Sequence, residues 1–231
     1  QELGTLFHEM GHALHVLVGQ TEYQNTSGTR TAIDLVEVPS QFMELFTQDY
    51  RTLSMFAHHH KTGQVIPNEL LNKELQKEKL FAALDLEEQV ALALLDILLF
   101  GPADMQYEVL ELPKPEPKLA VQPRMHPIAL YEKIKNKFTS VPFTRGTSYP
   151  GKFLHMSNYA AGYYSYLHCH MISAHIWQRY FEKEPLDSAA GEHFLKNFLM
   201  PGGSLEPQEL LKLVLKGEEP NPDYLLKELG L

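Results

Sequence analysis

His8-Glu9-Met10-Gly11-His12 is the stretch from which the architecture can be read. Leu3, Leu6, Phe7, Leu14 and Leu17 surround it at helical spacing, and no proline interrupts residues 1–20. On a helix, His8 and His12 stand one turn apart on a single face. Two imidazoles so placed can reach one metal ion at about 2.0–2.1 Å. Glu9 lies about 100° round the helix, off the ligand direction, and is the candidate general base toward an attacking water.

A catalytic zinc takes three protein ligands and keeps a fourth position open. Asp34-Leu35-Val36-Glu37-Val38-Pro39-Ser40 offers a carboxylate where a second helix begins. Pro39 suits the first turn of that helix, and Phe42, Leu45, Phe46 and Tyr50 continue an apolar face. Glu37 therefore sits on a rigid element, as a ligand must. Glu44, seven residues on, shares its face, so Glu44 and Asp34 are candidates to orient the zinc histidines. His15, three residues past His12, reads as structural or as a support to the ligands.

Three blocks of sequence carry a resemblance: Leu6-Phe7-His8-Glu9-Met10-Gly11-His12-Ala13-Leu14-His15, Ser27-Gly28-Thr29-Arg30, and Asp34-Leu35-Val36-Glu37-Val38-Pro39-Ser40-Gln41. Together they resemble the catalytic core of the thimet oligopeptidase family of zinc metallopeptidases. In that family the third zinc ligand is a glutamate 25 residues after the second histidine, and Glu37 stands 25 residues after His12. Gly28-Thr29-Arg30 and Tyr159-Ala160-Ala161-Gly162-Tyr163-Tyr164-Ser165-Tyr166-Leu167 favour the branch that processes mitochondrial precursors. The similarity runs from residue 1 to about residue 226.

The resemblance implies one Zn²⁺ ion held by His8, His12 and Glu37, with Glu9 as base and a peptide or precursor protein as substrate. It also implies a histidine and a tyrosine-rich helix that face the zinc across the substrate cleft. His155, Tyr159, Tyr163 and Tyr166 occupy those positions as donors to a tetrahedral oxyanion, Tyr163 and Tyr166 foremost. Spacing alone points elsewhere: Tyr159, Tyr163 and Tyr166 at i, i+4 and i+7 form one stripe, and an aromatic stripe defaults to core packing. The implied activity is removal of an N-terminal octapeptide from imported precursors in the mitochondrial matrix. Its alternatives are a general oligopeptidase of the same family and a noncatalytic helical fragment that binds peptide or zinc. The intact motif and Glu37 argue against the last. Gly28 reads equally as an ordinary turn or as a close approach to substrate backbone.

The formal net charge of −9, from 20 Lys+Arg against 29 Asp+Glu, excludes the basic footprint a nucleic-acid partner needs. Cys169 is the single cysteine, so no intrachain disulfide forms. No apolar run spans a membrane; the longest, 90–100, is broken by Asp96. The fold class is mainly α: a helical zincin-type catalytic domain with a very small β element near residues 19–35. Residues 1–231 read as the C-terminal part of one metallopeptidase catalytic domain, the N-terminal part being absent.

Predicted helices cover about 2–18, 36–59, 67–82, 85–99, 128–139, 159–183, 188–199, 207–215 and 222–229. Pro113, Pro115, Pro117, Pro123 and Pro127 make 112–127 a surface loop. His58, His59 and His60 read as a solvated helix end, since three consecutive residues point in three directions.

Overall fold

The computed structural model describes residues 2–113 and 124–231. Among them run twelve α-helices: α1 (Glu2–Val18), α2 (Val38–Leu45), α3 (Tyr50–Leu53), α4 (Asn68–Lys79), α5 (Ala82–Phe100), α6 (Met105–Val109), α7 (Pro127–Phe138), α8 (His155–Asn158), α9 (Tyr164–Ile176), α10 (Ser188–Phe194), α11 (Pro207–Val214) and α12 (Pro222–Leu229). α9 and α10 each run on into a π-helical turn, Trp177–Phe181 and Leu195–Leu199. α2, α7, α11 and α12 carry proline in their first turn, where its missing N–H costs nothing. Asp187 and Asn221 cap α10 and α12 by accepting from Ala189 N and Asp223 N.

The helices group into two compact units, Gln1–Leu80 with His168–Leu231, and Phe81–Leu167. In the first, α1 packs on α2, and the core is aromatic. Phe42 lies 4.6 Å, 4.9 Å and 5.4 Å, centroid to centroid, from Phe194, Phe181 and Phe46. In the second, α5 packs on α7, burying Leu92, Leu95, Leu98, Leu130 and Ile134.

The structure corrects several expectations. No β element forms at 19–35; no strand occurs among the described residues, and 24–26 is a 3₁₀ turn. The main-chain groups there are engaged in close loop contacts instead, Gly28 N donating to Gly19 O (2.7 Å) and Gly203 N to Thr26 O (2.8 Å). The helix expected over 36–59 breaks after Gln48, because Asp49 turns out to cap α3, accepting from Arg51 N at 2.8 Å. His58–His60 does not end a helix. His58 bridges Val65 in antiparallel fashion round a tight turn in which Gly63 adopts φ +69°.

The helix expected over 159–183 is interrupted as well. Its chain forms α8, a turn with Ala161 at φ +59°, and then α9 and its π turn. Tyr159 and Tyr163 thus precede α9, and the predicted single-helix tyrosine stripe does not exist. Of the proline-rich loop, residues 114–123 lie outside the described residues. No helix among the described residues is long and apolar enough to cross a membrane.

Candidate metal centre

α1 brings His8 and His12 to one face, their rings 5.0 Å apart and nearly perpendicular. Glu37 occupies the N-cap position of α2, in the first turn ahead of Pro39. Its Oε2 lies 3.3 Å from His8 Nε2 and 3.1 Å from His12 Nε2. Ligands bonded at about 2.0–2.1 Å at the corners of a tetrahedron are separated by roughly 3.3–3.4 Å. The 3.3 Å edge matches that figure and the 3.1 Å edge falls slightly short of it, so these three atoms lie close enough to share one ion. Among the described residues, this is the one set of three His, Cys, Asp or Glu side chains whose ligand atoms converge so closely.

Glycine at position 11 is what lets the two helices meet. A Cβ built there would fall 2.5 Å from Pro39 O and 2.6 Å from Ser40 Cα. The backbones of α1 and α2 therefore touch directly beneath the ligands, and only a residue without a side chain fits. Sequence reading had no signal for this beyond a glycine in mid-helix.

Two further groups hold the ligands in place. Glu44 Oε1 lies 2.5 Å from His8 Nδ1, so His8 donates to it from Nδ1 and keeps Nε2 for the metal, an arrangement that fixes tautomer and ring orientation. Of the two orienting candidates, Glu44 thus contacts a ligand ring. The Asp34 main-chain carbonyl accepts from the Cys169 thiol at 3.0 Å. Ser40, fully buried, donates from Oγ to Glu37 Oε2 at 2.8 Å and to Glu37 O at 2.9 Å. Ser40 was missed as a positioning group, because a serine three residues inside a helix carries no chemical signature of its own.

Glu9 is exposed, one residue from a ligand, on a cleft of about 570 Å³ that His8, Glu44, Leu71, Leu75 and Glu78 also line. A carboxylate there is open to water and to an entering chain. His15 is different. It is buried against Phe198, at 6.2 Å between centroids, and neither ring nitrogen has a hydrogen-bond partner. Burial, with a smaller contribution from His12, lowers its pKa to about 4. It is a neutral core group.

The sequence model of peptidase family M3 matches residues 1–231. The chain belongs to peptidase family M3. It is 39% identical over 240 residues to "Mitochondrial intermediate peptidase, mitochondrial" of Arabidopsis thaliana, covering 100% of this chain and 31% of that protein. It is 34% identical over 211 residues to the human mitochondrial intermediate peptidase, covering 91% and 27%. With the Malassezia globosa protein of that name it shares 37% over 214 residues, covering 93% and 25%. The chain spans about a quarter to a third of the length of these curated relatives.

In this family M3 chain the second unit gathers the remaining predicted residues. The His155 ring lies 5.1 Å from Tyr159, 4.9 Å from Tyr163 and 5.7 Å from Tyr166, and Tyr163 and Tyr166 are 5.5 Å apart. The cluster is built round the histidine, across a helix break. His155 Nε2 is buried without a hydrogen-bond partner. The Tyr163 hydroxyl donates to Gln89 Oε1 at 2.8 Å, and burial raises its pKa. Tyr159 and Tyr166 are exposed. Gly28 is a packing glycine: at φ +56°, a Cβ on it would meet Val16 Cα at 2.9 Å.

Proposed function

We propose that this chain carries the centre of a zinc endopeptidase that trims mitochondrial precursor proteins by removing an N-terminal octapeptide in the matrix. The observation that supports it most is the convergence of His8, His12 and Glu37 at tetrahedral ligand spacing beside an exposed Glu9. The names of the relatives support the mitochondrial compartment, and the family resemblance supports the precursor substrate.

When bound, zinc supplies Lewis acidity, which polarises a carbonyl and acidifies water. The chain's own residues do the rest. Glu9 accepts the proton of the attacking water and delivers it to the leaving amine. Glu44 holds the His8 ring and Ser40 holds the Glu37 carboxylate against rotation. His155, Tyr159, Tyr163 and Tyr166 are the proposed donors to the oxyanion of the tetrahedral intermediate. That role rests on the family resemblance and on the ring cluster round His155.

The test compares intact wild-type enzyme with Glu9→Gln on a peptide that spans the octapeptide junction of a precursor. Glu9→Gln removes the base and not a ligand, so it should retain stoichiometric zinc and lose nearly all turnover. Near-normal kcat in that variant would sink the assignment. Indiscriminate cleavage of unrelated short peptides, with no preference for the junction, would favour a general oligopeptidase instead.

A further inference from the structure

Asp96 is the one acidic residue in the otherwise apolar half of α5, and its side chain is completely buried. A carboxylate there is costly unless its oxygens are hydrogen-bonded. They are. Oδ1 accepts from Ala161 N at 3.0 Å and Oδ2 from Tyr163 N at 2.9 Å. Both donors are main-chain amides of the turn between α8 and α9. That turn is unusual: Ala161 stands in the left-handed region at φ +59°, and Gly162 N donates back to Tyr159 O at 2.9 Å. Alanine in that region stores strain, and it persists only where its surroundings hold it there.

We infer that Asp96 is a positioning residue for the His155–tyrosine cluster: its two oxygens grip the turn at Ala161 and Tyr163 and so set the tyrosines round His155. Both ends of the turn carry cluster members. Tyr159 opens it, Tyr163 closes it, and Tyr166 lies within the first turn of α9. The carboxylate also sits at the N-terminal end of the 13-residue α9, where the helix dipole favours negative charge. Its two hydrogen bonds hold residues 161 and 163 in the turn and off a continuous helical course. The inference rests on the proposed catalytic role of the cluster.

The substitution Asp96→Asn separates the two oxygens. Asparagine keeps one acceptor but turns an NH₂ toward the second amide, donor against donor. In the intact zinc-loaded enzyme, kcat on the junction peptide should fall by roughly 10–100-fold, the scale of a displacement near 1 Å, with KM and zinc content near wild type. Glycine adopts the left-handed conformation without strain, so the double variant Asp96→Asn/Ala161→Gly should recover a large part of the lost kcat. A residue that merely stabilises the fold would lower Tm, leave kcat below the melt unchanged, and gain nothing from Ala161→Gly. Wild-type kcat in folded Asp96→Asn, or a loss that Ala161→Gly does not relieve, overturns the inference.

Should Asp96→Asn fail to fold, Ala161→Val probes the same turn from its exposed side. A β-branched residue is excluded from that conformation. Its kcat should fall with zinc retained, and an unchanged kcat overturns the inference equally. Tyr163→Phe and Tyr166→Phe, measured in parallel, keep the two readings apart. If they leave kcat unchanged, the cluster is core packing and the catalytic reading fails. If they lower it and Asp96→Asn does not, only the assignment of Asp96 fails.

Discussion

At the scale of single residues, the metal centre depends on groups that never touch the ion. Ser40 and Glu44 each make a short hydrogen bond to a ligand, 2.8 Å to Glu37 and 2.5 Å to His8. Partners of this kind are worth about 10–100-fold in metal affinity. Ser40→Ala should therefore weaken zinc binding by that factor while leaving all three ligands in place. Competition with a chromogenic chelator reads it directly, and an unchanged affinity would show that Glu37 needs no support. Glu37→Ala, which removes a ligand, should do far more, and retention of stoichiometric zinc at wild-type affinity would refute the ligand set. The ligands and Glu9 were legible because metal chemistry demands particular residue types at helical spacing. Glu44 was legible because it shares a helix face with Glu37. Ser40 was not, since its contribution exists only once the α2 cap has brought its hydroxyl to the Glu37 carboxylate.

At the scale of elements, the site exists because α1 and α2 touch at Gly11. Ala at this position would place its Cβ within 2.7 Å of three atoms of the Pro39–Ser40 backbone, which cannot swing aside as a side chain can. Gly11→Ala should cost about 1–3 kcal/mol by overpacking and weaken zinc binding, because Glu37 leaves with α2. Gly4 supplies the control within the same helix. Nothing lies within 4 Å of a Cβ built there, so Gly4→Ala should stabilise by about 0.5–1 kcal/mol through helix propensity alone. Urea unfolding of the two variants should move in opposite directions; parallel shifts would mean that helix contact at Gly11 is not what the glycine serves. Elements with a local cause were readable, such as the proline-opened starts of α7, α11 and α12. The break between α8 and α9 was not. The turn there is held by Asp96, 65 residues away from Ala161 in sequence, and no short window along the chain contains both.

At the scale of the whole molecule, burial of a neutral histidine makes stability depend on pH. His15 has an ordinary pKa of 6.5 when unfolded and about 4 when folded, chiefly because burial disfavours its cation. Above pH 6.5 both states hold it neutral, and its contribution is constant. As pH falls below 6.5, the unfolded chain takes up a proton that the folded chain refuses until about pH 4. The unfolded state is thereby favoured, and stability is lost progressively across that window, levelling off below it. The loss is on the order of 3 kcal/mol. His175, whose pKa burial also lowers, acts in the same sense, so the test is a difference. Unfolding free energy should be measured from pH 7 to pH 4 for wild type and His15→Leu, both with excess chelator so that proton-driven zinc release adds nothing. The wild-type curve should fall more steeply than that of His15→Leu between pH 6.5 and 4, and the two should run parallel above pH 6.5. Curves that stay parallel down to pH 4 would mean that His15 takes its proton as readily folded as unfolded, and that the space between α1 and Phe198 admits water.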